Sequence, residues 1–346
     1  FKIIVTINAM QLNYKTLRLY LRTPFKIAHG SSNFRDNVIV QISDNSITGF
    51  GEAAPVKQHH ENIETVIGYL DSVVLANDLD RLEFILNTLP KGSNSAKAAI
   101  DIALHDLLAK KLNIPLYKLL GLDAQAKAVT SFTLGISSLE NLQAAAKRLA
   151  NEFPVIKLKL GAGEKEDLAA LRAVKEVTNV KIVGDANCAW SLDQAKRIIP
   201  KLADLGLEMI EQPLAEQDYE GMKKLKDLAI MPVFADEPVR DSKDIVALAN
   251  KVDGINIKLM KSAGIRQALK MIATARAHDL EIMLGCMVES SIAITAAAHI
   301  ASLVDHLDLD GNLLIKNDPY LGATVENGYL KVPEGNGLGI KRISGK

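Results

Sequence analysis

Val155-Ile156-Lys157-Leu158-Lys159-Leu160 is a six-residue run in which lysines alternate with aliphatic residues. On an extended strand, side chains two apart share a face, so both lysines point one way and Ile156, Leu158 and Leu160 the other. The same texture, a short β-branched run closed by a polar residue, returns at 129–134, 180–184, 207–210, 233–235, 254–259, 281–284 and 304–309. With the lysine run this makes eight candidate strands, separated by Ala-, Leu- and Lys-rich stretches of helical character. The polar residues at or just beyond their ends are Thr133, Lys159, Asp185, Glu211, Asp236, Lys258, Glu289 and Asp310. Their steps of roughly 20 to 30 residues match one βα unit, and eight is the strand number of a (β/α) barrel. In such a barrel the C-terminal strand ends converge on one mouth, which brings residues far apart in sequence into one ring.

The chain ahead of the barrel reads differently. Lys2-Ile3-Ile4-Val5 and Val38-Ile39-Val40-Gln41-Ile42 alternate as strands, and Gly49-Phe50-Gly51 suggests a tight turn nearby. From Glu61 to Leu120 the spacing becomes helical, most clearly over 95–104, so an α+β lobe is expected. The texture changes after Asp123. The expected domains are therefore 1–123, a barrel over 124–318, and a glycine-bearing segment over 319–346, with a short strand at Leu330-Lys331-Val332, that returns to the first lobe.

Bulk properties exclude several classes. Lys+Arg and Asp+Glu are equal at 41 each, and no basic run occurs, so neither nucleic acid nor an anionic membrane is an expected partner. Charges interrupt the apolar stretches short of a membrane span, and Phe1 to Met10 lacks a secretory pattern, which points to a cytoplasmic protein. Two cysteines, Cys188 and Cys286, are too few for a disulfide framework or a structural zinc site. Nothing in the composition fixes an oligomeric state, and a homo-oligomer stays open.

Chemistry gathers on consecutive strands. A lone Lys-x-Lys is an ordinary solvated strand end, and a lone Asp at a βα junction is an ordinary helix cap. Here the strand bearing Lys157 and Lys159 is followed by three that end in acids: Val183-Gly184-Asp185, Met209-Ile210-Glu211 and Phe234-Ala235-Asp236. Clustered carboxylates repel and resist desolvation unless a cation offsets them, and three oxygen donors with room for water suit Mg²⁺. Lys258 lies across the mouth from Lys157 and Lys159, with the acids between. A lysine out of bulk water and beside other cations has its pKa lowered, so Lys157 can tune Lys159 towards a free amine. Two bases flanking a metal suit removal of a proton α to a carboxylate.

At these residues the chain resembles the muconate-lactonizing subgroup of the enolase superfamily. The resemblance runs through Lys157-x-Lys159, Asp185-Ala186-Asn187, Glu211-Gln212-Pro213, Asp236-Glu237 and Asn256-Ile257-Lys258-Leu259-Met260-Lys261, and it covers nearly the whole chain. Within the subgroup, Asp308-Leu309-Asp310 looks like the pair with which dipeptide epimerases, such as the L-Ala-D/L-Glu type, hold a substrate's α-ammonium. The resemblance implies a modified TIM barrel, (β/α)7β, with an α+β capping domain, and Mg²⁺ held by Asp185, Glu211 and Asp236. It implies Lys159 and Lys258 as bases on opposite faces of the α-carbon of a dipeptide's C-terminal residue, with Lys157 assisting. Asp308 and Asp310, with Thr133 and Glu289 on neighbouring strand ends, are the expected substrate contacts. Other subgroup reactions remain alternatives: cycloisomerisation, o-succinylbenzoate synthesis or N-acylamino acid racemisation. A non-catalytic ligand-binding barrel is a further one.

Two departures bear on specificity. Where Ala-Glu members often carry an arginine after Pro-Phe, this loop reads Pro24-Phe25-Lys26-Ile27-Ala28-His29-Gly30, so Arg35 or Lys26 takes that role or the substrate side chain is not acidic. Pro238 follows Asp236-Glu237 where serine is frequent. His29, His59 and His60 are expected in loops, and Trp190 either lines the pocket or packs beneath a loop.

Overall fold

A computed structural model describes residues 10–76, 78–124 and 129–344, so the strand expected at Lys2-Ile3-Ile4-Val5 lies outside the described residues. The first lobe is an antiparallel sheet of β1 (Gln11–Ile27), β2 (Gly30–Asp44) and β3 (Ile47–Ala53), followed by α1 (Ile63–Ser72), α2 (Leu82–Thr88), α3 (Asn94–Lys111) and α4 (Leu116–Leu119). Asn62 and Thr65 form a capping box that starts α1, and Ser93 caps the alanine-rich α3, whose Ala96, Ala99 and Ala103 are fully buried.

The turn expected near Gly49 and Gly51 falls just before them, between Asp44 and Ile47 at Asn45, whose φ is 55°, and the two glycines lie inside β3. Their role is close approach: a Cβ on Gly51 would stand 1.9 Å from the Ala99 carbonyl oxygen, and one on Gly49 would stand 2.0 Å from that of Ala103. Helix backbone thus rests directly on strand backbone. Gly51→Ala must push α3 off the sheet and is expected to cost about 3 kcal/mol in stability by denaturant unfolding; an unchanged midpoint would contradict this packing.

The second lobe is a ring of eight parallel strands: β4 (Phe132–Leu134), β5 (Val155–Lys159), β6 (Lys181–Asp185), β7 (Leu207–Glu211), β8 (Val233–Ala235), β9 (Gly254–Lys258), β10 (Glu281–Gly285) and β11 (His306–Asp308), neighbouring in chain order. A parallel bridge between Thr130 and Leu307 joins the last strand to the first. The connections carry α5 (Leu139–Leu149), α6 (Glu164–Lys175), α7 (Leu192–Asp204), α8 (Tyr219–Lys226), α9 (Ser242–Leu248), the pair α10 (Leu259–Ser262) and α11 (Ile265–Ala277), and α12 (Ser291–Ala298). After β11 a 3-10 turn, Gly311–Leu314, stands where an eighth barrel helix would, so the architecture is (β/α)7β. The large core lies between strands and helices, where Ile156, Ile182, Ile210 and Ile255 are buried.

Inside the ring, a layer of Val183, Met209, Phe234 and Met283 closes the lower part. Two residues further along the first three of these strands stand Asp185, Glu211 and Asp236. The period of two that plugs the barrel also lifts the three acids onto its mouth. Glycines admit this packing, since a Cβ on Gly254 would meet the Phe234 ring at 2.4 Å and one on Gly285 would meet Asn256 Oδ1 at 2.6 Å.

The last segment bonds to both lobes. Leu338 N–H donates to Asp106 Oδ1 at 2.7 Å and Leu116 N–H to Gly337 O at 2.8 Å, while Thr130 N–H donates to Gly328 O at 2.7 Å. The short strands β12 (Tyr320–Leu321), β13 (Thr324–Glu326), β14 (Tyr329–Lys331) and β15 (Lys341–Arg342) pair as β12 with β15 and β13 with β14. No helix among the described residues is long and apolar enough to cross a membrane.

Candidate active site

The C-terminal strand ends and the first lobe enclose a cleft of about 950 Å³ open to solvent. Its floor includes Thr133, Lys159, Asp236, Lys258, Asp308 and Asp310, and its roof comes from β1, β2 and the loop after β3.

Asp185, Glu211 and Asp236 are completely or almost completely buried, and one carboxylate oxygen from each lies within 4.8 Å of the others. Each acid is oriented by a neighbour. Asn187 N–H donates to Asp185 Oδ1 at 2.9 Å, Asn256 Nδ2 to Glu211 Oε1 at 2.9 Å, and Lys261 Nζ to the backbone and side-chain oxygens of Asp236. Their other oxygens meet the lysines: Lys159 Nζ lies 2.5 Å from Asp185 Oδ2, Lys258 Nζ 2.7 Å from Asp236 Oδ2, and Lys157 Nζ 2.6 Å from Glu211 Oε2. Lys157 also reaches Asp308 Oδ2 at 2.7 Å.

Lys159 ends β5 and Lys258 ends β9, four strands apart in a ring of eight, so they face each other across the mouth. The half-circle between them through β6, β7 and β8 carries the three acids. The other half carries Asp308 at the end of β11 and Asp310 just beyond it. Ser131 Oγ donates to Asp308 Oδ1 at 2.6 Å, and Thr133 N–H donates to Asp310 Oδ2 at 2.7 Å.

Burial pulls Lys258 down, but the charges of Asp236 and then Glu211 outweigh it and raise its pKa. Burial likewise opposes Asp308 and Glu211 at Lys157, and the acids again win. Among the carboxyls, burial is the largest influence on Asp308 and raises it, but the Lys157 charge and the hydrogen bonds from Lys157 and Ser131 together outweigh burial and bring it to about 2. Burial and then the charge of Asp308 push Asp310 up to about 7.

These residues fit a divalent cation by their donor set. The three candidate ligands offer only hard oxygens, and the buried Asn256 Oδ1 and Asn187 Oδ1 beside them have no hydrogen-bond partner. The mouth also gathers Asp185, Glu211, Asp236, Glu237, Asp308 and Asp310 around four buried or part-buried lysines, 157, 159, 258 and 261, leaving an excess of acid.

Some residues fall elsewhere than expected. Asp310 is not at a second strand position: β11 stops at Asp308, and Asp310 begins the 3-10 turn, where its carboxylate still faces Thr133. Glu289 lies under the loop that follows β10, accepting Met287 N–H at 2.8 Å, and does not line the cleft, because the loop folds back over its carboxylate. Trp190 packs on Asp167, donating from Nε1 at 3.2 Å, and is not a pocket residue. Arg35 lines the cleft whereas Lys26 does not. His59 also lines it, with Nδ1 buried and without a hydrogen-bond partner. Ser131 and Asn256 also reach the mouth, and each stands two residues before a site position, Thr133 and Lys258, the spacing by which an extended chain shares a face.

Fold and site together define a capped barrel enzyme whose mouth is arranged for proton transfer beside a cation. Residues 12–121 match the mandelate racemase / muconate lactonizing enzyme N-terminal domain, and residues 141–342 match the enolase C-terminal domain-like family. The chain belongs to this enolase-like family of mandelate racemase and muconate lactonizing enzymes. It is 38% identical over 340 residues to the L-Ala-D/L-Glu epimerase of Bacteroides thetaiotaomicron, covering 96% of this chain and 88% of that one. A substrate-liganded L-Ala-D/L-Glu epimerase from Bacillus subtilis superposes with a TM-score of 0.91 at 33% identity, covering 96% of this chain and 98% of that one. The dipeptide epimerase of Enterococcus faecalis, solved with Mg and L-Leu-L-Tyr, superposes with a TM-score of 0.89 at 33% identity, covering 96% of this chain and all (100%) of that one.

Proposed function

We propose that this chain is a Mg²⁺-dependent dipeptide epimerase that inverts the α-carbon of the C-terminal residue by two-base 1,1-proton transfer. The observation that carries this reading is the division of the mouth: two opposed lysines, with the acid cluster on one side and the Asp308/Asp310 pair on the other. A dipeptide has the complementary polarity, a carboxylate at one end and an ammonium at the other. Laid between the lysines, its carboxylate faces β6 to β8 and its ammonium faces Asp308 and Asp310. The reacting α-carbon is then left between Lys159 and Lys258.

Asp185, Glu211 and Asp236 would hold Mg²⁺, which when bound supplies positive charge where the substrate carboxylate gains electron density as the α-proton leaves. Lys159 removes the proton from one face and Lys258 delivers one to the other, or the reverse for the opposite epimer. Lys157, fully buried between Glu211 and Asp308, holds the two halves of the ring together and contributes positive potential next to Lys159. Thr133 fixes Asp310. We divide the chain into a cap, 1–123 with 319–346, and a barrel, 124–318; the described residues of the cap supply Phe25, Ile27, Arg35 and His59 to the cleft, where they choose the substrate side chain. The similar proteins differ in that choice, one named for Glu and another bound to Leu-Tyr, and in this chain the cap residues that line the cleft are the ones we assign to it.

Incubation in deuterated water with Mg²⁺ and a library of Ala-Xaa and Xaa-Ala dipeptides is expected to give deuterium at the C-terminal α-position together with the epimer. Removing the metal with a chelator should stop both. Absence of exchange across the library would defeat this reading.

A further inference from the structure

Glu52, near the end of β3 in the cap, is completely buried and belongs to neither the acid cluster nor the substrate pair. Its side chain leaves the cap sheet and meets the barrel at the start of α12. Ser290 N–H donates to Oε1 at 2.9 Å and to Oε2 at 3.1 Å, Ser290 Oγ–H to Oε2 at 2.6 Å, and Ala293 N–H to Oε2 at 3.3 Å. Asn37 Nδ2, from β2, donates to Oε1 at 2.7 Å. The Ser290 and Ala293 N–H groups and the Asn37 amide can only donate, and the Ser290 hydroxyl can do so, so this surrounding favours the carboxylate against burial, which favours the acid. Among the described residues no lysine, arginine or histidine lies within ion-pair distance of it. Its charge is met by hydrogen bonds and by the N-terminus of an eight-residue helix alone.

The same Asn37 amide also donates to Val288 O at 3.0 Å. Glu52 therefore grips the segment after β10 at two points, through Asn37 at Val288 and directly at Ser290. Between β10 and this grip lie Cys286, Met287 and Val288, all of which line the cleft. Val288 is backed by Leu19, Leu21 and Ile315, so the wall is seated between cap and barrel. A buried, unpaired carboxylate is a costly way to join two lobes. It is justified where the position of the joined segment matters.

We propose that Glu52 is a positioning residue that fixes the Cys286–Val288 wall of the cleft and so sets how tightly the substrate is held, without touching the reacting atoms. The kinetic part of this proposal rests on the dipeptide reading above, and the structural part does not. Glu52→Gln keeps the shape but presents an amide donor to donors, and a misplaced wall follows. Cys286 is a reporter built into that wall, and Cys188, beyond the end of β6, is an internal control.

The experiment measures the alkylation rate of each cysteine in the full-length protein by mass spectrometry with a neutral maleimide, alongside kcat and KM for the best dipeptide. Glu52→Gln is expected to speed labelling of Cys286 about tenfold with Cys188 unchanged, and to raise KM about tenfold with kcat within about twofold. Unchanged Cys286 labelling in a folded variant overturns the proposal, and so does equal acceleration at both cysteines, which marks general loosening. Should Glu52→Gln not fold, Asn37→Ala must show the selective Cys286 effect, and its absence is decisive against the proposal. A wild-type protein that turns over no dipeptide defeats the functional reading, while the cysteine rates still decide the role of Glu52.

Discussion

Lys258→Ala is expected to lower the rate of epimerisation about 10³-fold or more while leaving half of the exchange chemistry intact. On the proposed reading each lysine faces one side of the α-carbon, since β5 and β9 are four strands apart in the ring. Inversion needs both. Exchange of the α-proton with solvent needs only the lysine that faces it. Lys258→Ala should therefore still wash deuterium into one epimer and not the other, and Lys159→Ala should show the reverse preference. Folding is expected to survive both changes, since Asp236 keeps Lys261 and Asp185 keeps Lys157 at 3.4 Å and the Asn187 N–H. Mass analysis of single epimers in deuterated water makes the measurement. Equal loss of exchange from both epimers in either variant would remove the two-base assignment.

The barrel and its ring were legible because both depend on a period of two. Val183, Met209 and Phe234 plug the interior, and the acid two residues later on each strand has one direction available, towards the mouth. What the chain order could not convey is the field. That Lys258 lies in the field of Asp236 and Glu211 depends on distances of a few ångströms, which the order of residues along the chain does not hold. Gly49 and Gly51 signalled the nearby turn, but their contact with α3 was not legible for a related reason. Glycine serves turns and close approaches alike, and only the presence of α3 on β3 separates the two uses. Glu52 was silent in the sequence, since a lone acid between Gly51 and Ala53 acquires meaning only when Asn37 and Ser290, far away along the chain, converge on it.

The second large effect is expected at the opposite side of the mouth. Asp308→Asn should lower kcat/KM for a dipeptide by about 10³-fold, mainly through KM, because it removes the charge that meets the substrate ammonium in a desolvated site. The amide retains the shape between Ser131 and Thr133, and Lys157 retains Glu211 at 2.6 Å, so a collapsed ring is not the expected cause. An acid with a blocked amine, such as an N-acylamino acid, should lose nothing. Unimpaired dipeptide turnover in the variant would instead favour a different reaction of the same ring, with the ammonium site unused. Asp310 adds a pH signature with a definite sign. Its carboxyl titrates at about 7 through burial and the charge of Asp308, so the pair carries one negative charge below that pH and two above it. Wild-type KM for a dipeptide should therefore fall as pH rises through about 7, until the substrate's own amine, with a pKa near ~8, begins to lose its proton. Asp310→Asn should flatten the lower limb of that profile while leaving kcat at saturation little changed, which a KM measurement from pH 6 to 9 can read directly.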